Sequence, residues 1–201
     1  MCITERRRAR GVTLLELIVF IVVVSVAVMG VLTALDLSNR SSTDPMIQKQ
    51  ALAIAEALLE EVELQPFTYC DPDDANAASA DDVSGCTGGA NGANDENKTP
   101  LGPETGETRT NGVTPYDNVS DYNGFCMGPT CATPTTISDL DGNSIAGLEA
   151  YTANVAVANQ VLDTIPAAAS LLITVSVTHP PSNTTVVLHG YRVRYAPNTL
   201  P

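Results

Sequence analysis

The chain lacks most of the features by which enzymes are recognised. It contains no tryptophan, three phenylalanines and two histidines in 201 residues. No serine nucleophile elbow, zinc-binding HExxH motif or phosphate-binding P-loop occurs in its sequence. The two histidines, His179 and His189, stand beside proline and glycine, where turn or strand-edge positions are expected. We therefore expect a protein that is not an enzyme.

Basic residues are scarce after Arg10. Beyond residue 11 the chain holds six basic and 22 acidic residues, a net charge of −16, against −13 for the whole chain. A domain with this charge repels phosphate backbones, so we expect no nucleic-acid partner. The same acidity keeps an exported domain soluble.

The N-terminal segment contains a basic cluster followed by a long apolar run. Four arginines lie between residues 6 and 10, and Val12–Leu35 follows with Glu16 as its only charged residue. A helix of this length measures about 36 Å, enough to cross a hydrocarbon core of roughly 30 Å. Because arginines favour the cytoplasmic side, we expect a cytoplasmic N-terminus, a single span of the inner membrane and a periplasmic C-terminal domain. A cleaved secretory signal fits less well, since its apolar core is shorter.

Cysteine usage agrees with export. Four of the five cysteines lie beyond the apolar run: Cys70, Cys86, Cys126 and Cys131. An even number of cysteines in an oxidising compartment predicts disulfides. Three pairings can be drawn, and proximity in sequence favours Cys70–Cys86 and Cys126–Cys131. A zinc site is less favoured, because neither pair has CxxC spacing and no histidine is near.

Residues 38–65 predict an exported amphipathic helix. Pro45 suits the first helical position after a capping Asp44 or Thr43, and Pro66 marks the end. Together with the apolar run this predicts one long helix that Pro45 kinks or interrupts. The apolar positions recur at helical spacing on one face: Ile47, Ala51, Ile54, Ala55, Leu58 and Val62.

The rest of the chain divides into a loop region and a sheet. Residues 66–145 are rich in Asp, Asn, Gly and Thr without an apolar period, which indicates a long loop region tied down by disulfides rather than a core. Residues 146–196 alternate as antiparallel strands do, and "HPPSN" reads as a hairpin turn. The predicted inward faces are Tyr151, Ala153, Val155 and Val157 in the first run, Leu171, Ile173, Val175 and Val177 in the second, and Val186 or Val187, Tyr191, Val193 and Tyr195 in the third.

These elements predict an α+β fold, in which a long N-terminal helix with a transmembrane first half packs against a small antiparallel β-sheet. The expected organisation is a leader at 1–11, a transmembrane segment at 12–37, an exported helix at 38–65 and a globular domain at 66–201, with loops at 66–145 and the sheet at 146–196.

The stretch "RARGVTLLEL" resembles the processing site of type IV pilins and of the pseudopilins of type II secretion. The resemblance implies that prepilin peptidase cuts after Gly11 and methylates the new N-terminus at Val12, where phenylalanine or methionine is more usual. The glutamate that this family carries five residues into the mature chain corresponds to Glu16. The resemblance also implies three partners: other pilins of the same filament, an inner-membrane assembly platform and membrane lipid.

Glu16 has two readings. A carboxylate in hydrocarbon needs a partner, and the Val12 amine of a neighbouring subunit is a candidate that would fix the stagger between helices. The alternative is a side chain that reaches the nearby cytoplasmic interface.

Internal blocks extend the resemblance. "CDPDDANA", "YDNVSDYNGF" and the C-terminal strands are similar to MshD-type minor pilins of mannose-sensitive haemagglutinin (MSHA) pili. This implies a minor pilin that acts at initiation or at the tip of the pilus. A minor pseudopilin of type II secretion, or a periplasmic single-span binding protein that never polymerises, remains an alternative.

Two acidic clusters are weak metal candidates, although we expect no cofactor. Their carboxylates, which could bind calcium, are Asp71, Asp73 and Asp74 in "DPDD" and Asp139 and Asp141 in "DLDGN". Neither cluster matches a full twelve-residue calcium loop. Turns built on Asp and Asn side chains explain both clusters equally well.

Overall fold

The long N-terminal helix is continuous. The computed structural model of the chain describes residues 13–195 and Asn198, with the backbone alone for residues 36–44. Helix α1 spans Leu14–Leu64 and includes Pro45. The proline removes one helical hydrogen bond, but the strong helix formers that follow it continue the helix. The expected break at Pro45 is therefore not seen, and no second helix start exists there for Asp44 or Thr43 to cap.

The chain divides into two compact units, Met1–Pro45 and Met46–Pro201. In the second unit, the described residues form one antiparallel sheet with the strand order β1-β2-β3-β4. The strands are β1 (Cys126–Met127), β2 (Thr152–Asn159), β3 (Ser170–His179) and β4 (Thr184–Val193). The α+β fold is thus confirmed, with β1 as a short fourth strand from the region predicted to be loop.

The core of this unit lies between α1 and the sheet. The predicted helical stripe is correct, since Ala51, Ala55, Leu58 and Val62 are buried and Ile47 and Ile54 pack at the edge of the same cluster. Opposite them lie the predicted inward faces of β2 and β3, all of which are buried. Alternation with a period of two therefore placed both strands correctly.

The predicted face of β4 was wrong at Tyr191 and Tyr195, whereas Val186, one of the two alternatives at the start of the strand, does face the core. Val186 and Leu188 pack against the core and Gly190 is buried, whereas Tyr191 is 47% and Tyr195 is 75% exposed. A Cβ atom on Gly190 would lie 3.0 Å from Leu59 Cδ1, so the glycine leaves room for α1. Because β4 carries apolar residues on both faces, its alternation alone does not select the buried one.

The region 66–145 contributes to the core more than its composition indicates. Its backbone is mostly irregular, with short 3₁₀ turns at Val83–Gly85 and Val119–Tyr122. Even so, Phe67, Tyr122 and Ile137 are buried in the core cluster of the sheet. The expectation of a loop region without core residues was therefore incomplete.

Gly128 offers a test of how closely the chain after β1 packs on β2. Its φ is +127°, and a Cβ there would lie 2.4 Å from Tyr151 O and 2.5 Å from Thr152 Cα. Backbone atoms cannot move aside as a side chain can, so Gly128→Ala should lower the free energy of unfolding by about 2–4 kcal/mol.

Gly147→Ala is the matched control, because Gly147 also has a positive φ (+85°) but faces open space. It should cost only the backbone strain, about 1–2 kcal/mol. Urea unfolding of the detergent-solubilised chain measures both variants, and equal losses would contradict the close packing.

Candidate functional site

The first unit presents an unburied apolar helix. Within α1, Leu14–Leu35 is a 22-residue segment with a mean hydropathy of 2.9, none of which is buried in the structure. Its length of about 33 Å matches a hydrocarbon core of roughly 30 Å. By length and composition this segment can span a membrane, as the sequence predicts.

The structure gives Glu16 a local role at the start of this helix. Thr13 precedes the first helical residue, and its Oγ1 accepts a hydrogen bond from the Glu16 N–H at 3.3 Å. The Thr13 carbonyl accepts the first helical bond, from the Leu17 N–H at 3.1 Å. Thr13 is therefore the N-cap, and Glu16 is the third helical residue. An acidic side chain at this position interacts favourably with the positive end of the helix dipole.

The N-cap at Thr13 was missed in the sequence, although a signal for it exists. "TLLE", residues 13–16, has the Thr-x-x-Glu spacing of a capping box, in which the glutamate also reaches back to the N-cap backbone. The predicted processing residues Gly11 and Val12 lie outside the described residues, so their roles stay predictions.

The comparison with protein families falls on this same segment. Residues 6–32 match the model of the prokaryotic N-terminal methylation motif. Gly11, Val12 and Glu16 all lie within the match. The motif is typical of type IV pilins and pseudopilins, and it implies processing by prepilin peptidase and assembly with other pilins. No curated protein and no solved structure matches the chain at a significant level.

In the second unit, both disulfides join the cysteines that are close in sequence. Cys70 is bonded to Cys86 and Cys126 to Cys131. The first bond forms a small buried cluster with Ala77. It closes the loop that begins with "DPDD".

The two acidic clusters proposed as metal candidates have different surroundings. Asp139 is exposed and accepts hydrogen bonds from the Asn143 backbone and side chain, which lower its pKa. Asp141 is also exposed. Burial alone would raise the pKa of Asp74, but hydrogen bonds from Asn76 and Thr87 lower it. Hydrogen bonds within their own loops thus occupy the carboxylates of Asp74 and Asp139.

Asp71 and Asp73 belong to a larger group of carboxylates that sequence reasoning did not find. In each of three sets, one oxygen per residue lies within 4.8 Å of the others. We call the seven residues involved the carboxylate cluster: Asp71, Asp73, Glu96, Glu104, Glu107, Asp117 and Asp121.

Burial and mutual repulsion raise the pKa of several of these groups. Burial raises the pKa of Glu107 to about 8 and those of Asp117 and Asp121 to about 7, with neighbouring carboxylates adding to each shift. For Glu96, burial and then the charges of Asp121 and Glu104 raise the pKa well above its usual value. The cluster therefore resists carrying its full negative charge.

Sequence reasoning missed the cluster because its members come from distant, irregular segments. Residues 71–73, 96–107 and 117–121 meet through the folding of a loop region with no periodic pattern. One local signal was available: Asn118 and Asp121 form a capping box around the 3₁₀ turn Val119–Tyr122.

The disulfides give a prediction about this loop region. Cys70 and Cys86 are 16 residues apart in sequence, against five for Cys126 and Cys131. Chain-entropy estimates for such loops are about 3 and about 2 kcal/mol. Cys70→Ala with Cys86→Ala should therefore destabilise the chain more than the corresponding change at Cys126 and Cys131. Urea unfolding of both double variants in detergent measures the difference, and the reverse order would contradict it.

Proposed function

We propose that the chain is a minor pilin of a type IV pilus of the MSHA class. Prepilin peptidase removes residues 1–11 and methylates Val12, and Leu14–Leu35 holds the subunit in the inner membrane until it enters the filament. The observation that carries this proposal is Glu16, an exposed carboxylate in the first turn of an apolar helix within a methylation motif.

The carboxylate of Glu16 needs a positive partner in a filament, where apolar helices surround it, as it does in a membrane. A carboxylate surrounded by apolar groups costs about 2.5–3.5 kcal/mol on insertion scales. Cleavage after Gly11 creates an α-amine on Val12, and the amine of one subunit can neutralise Glu16 of its neighbour. A buried charge pair of this kind fixes the register between two helices.

The capping box offers Glu16 a second role, at the start of its own helix. In the structure the contact with Thr13 runs from the Glu16 backbone N–H to Thr13 Oγ1. The Glu16 side chain would complete the box by accepting a hydrogen bond from the Thr13 N–H. Capping and pairing between subunits differ in what they require of residue 16. A cap needs only a side-chain oxygen at this position, which glutamine also supplies, whereas the pair needs the negative charge.

The MSHA class rests on the internal sequence blocks rather than on the methylation motif. A minor pseudopilin of type II secretion is the second candidate, since the motif is typical of pilins and pseudopilins alike. Deletion of the gene separates the two: we expect loss of surface pili with normal protein secretion, whereas a pseudopilin gives the opposite result.

Substitutions at Glu16 test the proposed pairing. Glu16→Gln keeps a side-chain oxygen for the capping box but removes the charge, and Glu16→Ala removes both. The bond from the residue-16 N–H to Thr13 Oγ1 can form in either variant. Because the pair needs the charge, both variants should be cleaved and inserted normally but recovered at least tenfold less in sheared filaments, as measured by immunoblot.

Thr13→Ala is the matched control, since it removes the capping hydroxyl and keeps the charge. It should enter filaments as the unaltered chain does. If Glu16→Gln assembles normally while Glu16→Ala and Thr13→Ala fail, Glu16 acts as a cap and the pairing is wrong.

Gly11→Leu tests whether polymerisation is the function at all. A bulky residue should block cleavage, so the chain should accumulate uncut in the inner membrane and be absent from sheared filaments. A fully functional uncut chain would instead favour a single-span periplasmic protein that does not polymerise.

A further inference from the structure

Glu104 and Asp121, two members of the cluster, each have one carboxylate oxygen that is hydrogen-bonded within the described residues and one that is not. Glu104 Oε1 is paired with the Lys98 ammonium, while Glu104 Oε2 is buried without a hydrogen-bond partner in the described chain. Asp121 Oδ2 accepts the N–H groups of Asp117 at 3.1 Å and Asn118 at 2.7 Å, while its Oδ1 has no partner there. In each residue one carboxylate oxygen accepts hydrogen bonds, and the other has no hydrogen-bond donor in the part of the chain that the structure describes.

Glu96 has the same arrangement of one bonded and one unbonded oxygen in a buried side chain. Its side chain is only 2% exposed, Ser120 Oγ donates to Oε2, and Oε1 has no partner among the described residues. Asp121 is fully buried. Buried acceptors that nothing satisfies are rare in folded proteins and leave a desolvation penalty uncompensated. With Asp117 Oδ1 the cluster holds four such oxygens, which indicates that a positive ligand belongs among them.

The cationic side chains that the structure describes do not meet this need. Lys98 brings one ammonium to the seven carboxylates. The Arg194 guanidinium lies 3.8 Å from the Phe67 ring centroid and donates to the backbone carbonyls of Thr68 and Ala168. The cluster therefore retains several carboxylates that are neither paired nor exposed to bulk water.

We propose that the carboxylate cluster binds a calcium ion centred on Glu104. This residue belongs to two of the three sets, one with Asp71 and Glu96 and the other with Glu107 and Asp121. The oxygens of each set lie within 4.8 Å of one another, close enough for one ion to contact all three, because oxygens on opposite sides of calcium are about 4.8 Å apart. The bonds from Lys98, Ser120 and the backbone orient the ligands as outer-shell partners do in metal sites.

The chemistry of the set selects calcium among common divalent ions. All seven side chains offer hard carboxylate oxygens, and the four cysteines of this unit are bonded in disulfides. Zinc and copper prefer nitrogen and sulfur ligands, and magnesium retains several waters in a strict octahedron. Calcium accepts six to eight oxygens in a flexible geometry, which suits carboxylates from three separate segments.

Calorimetry of the full chain, purified in detergent and stripped with a chelator, tests this site. Titration with calcium chloride should release heat, and calcium should raise the melting temperature because it binds the folded state alone. Glu96→Gln and Asp121→Asn should each weaken calcium binding at least tenfold. Asp139→Asn is the control, since its exposed carboxylate forms only a turn, and should bind calcium like the unaltered chain.

Melting without calcium distinguishes a ligand from a merely structural residue. Glu96→Gln removes an acid that ionises freely in the unfolded chain but is buried beside other carboxylates in the folded one, so in chelator this variant should melt above the unaltered chain, and the order should reverse in calcium. Terbium luminescence sensitised by the nearby Tyr122 gives a second measure of binding that does not depend on melting. The absence of both heat and luminescence in the unaltered chain, or unchanged binding in both variants, overturns the proposal. Neither result bears on polymerisation, because the chain is titrated unassembled.

Discussion

The packing of a small-residue stripe of α1 against β2 and β3 is the contact on which the second unit, Met46–Pro201, depends. Ala51 and Ala55 end at Cβ, so the helix backbone comes close to the sheet, and the buried Gly190 leaves similar room beside Leu59. Helix α1 ends at Leu64, just before Pro66. Arg192 then donates to the Gln65 carbonyl and Arg194 covers Phe67, so the chain leaving the helix is tied to the end of β4.

The loop region is arranged on this frame. It starts directly after α1 and is cross-linked by the Cys70–Cys86 disulfide. Further along, the turn at Val119–Tyr122 buries Tyr122 in the core. The same turn places Asp121 among carboxylates from two other segments. The geometry of the cluster is thus a consequence of core packing, although its members are polar. If calcium binds there, the ion would join three segments that otherwise repel one another.

How far the sequence predicts this structure depends on whether a feature is periodic. The helical stripe and strands β2 and β3 follow from apolar spacing, because one face of each is buried and the other is not. In β4 both faces carry apolar residues, and the choice between them depends on Gly190 facing α1. The carboxylate cluster has no periodic signal, since Asp71, Glu104 and Asp121 meet only after folding, and the capping box of Asn118 and Asp121 indicates a turn alone. The capping motif "TLLE" predicts the N-cap at Thr13, but the long apolar run around it drew attention to a membrane span instead.

One helix serves two environments in this account: a segment that stays apolar on every side, and a segment with a single apolar stripe that builds the core. The first is useful for assembly only if the leader is removed and Val12 becomes a charged terminus. Mass spectrometry of the chain extracted from membranes tests this most directly. The account predicts an N-terminal peptide that begins at Val12 and carries one methyl group. A chain that still begins at Met1 or Cys2 would contradict it.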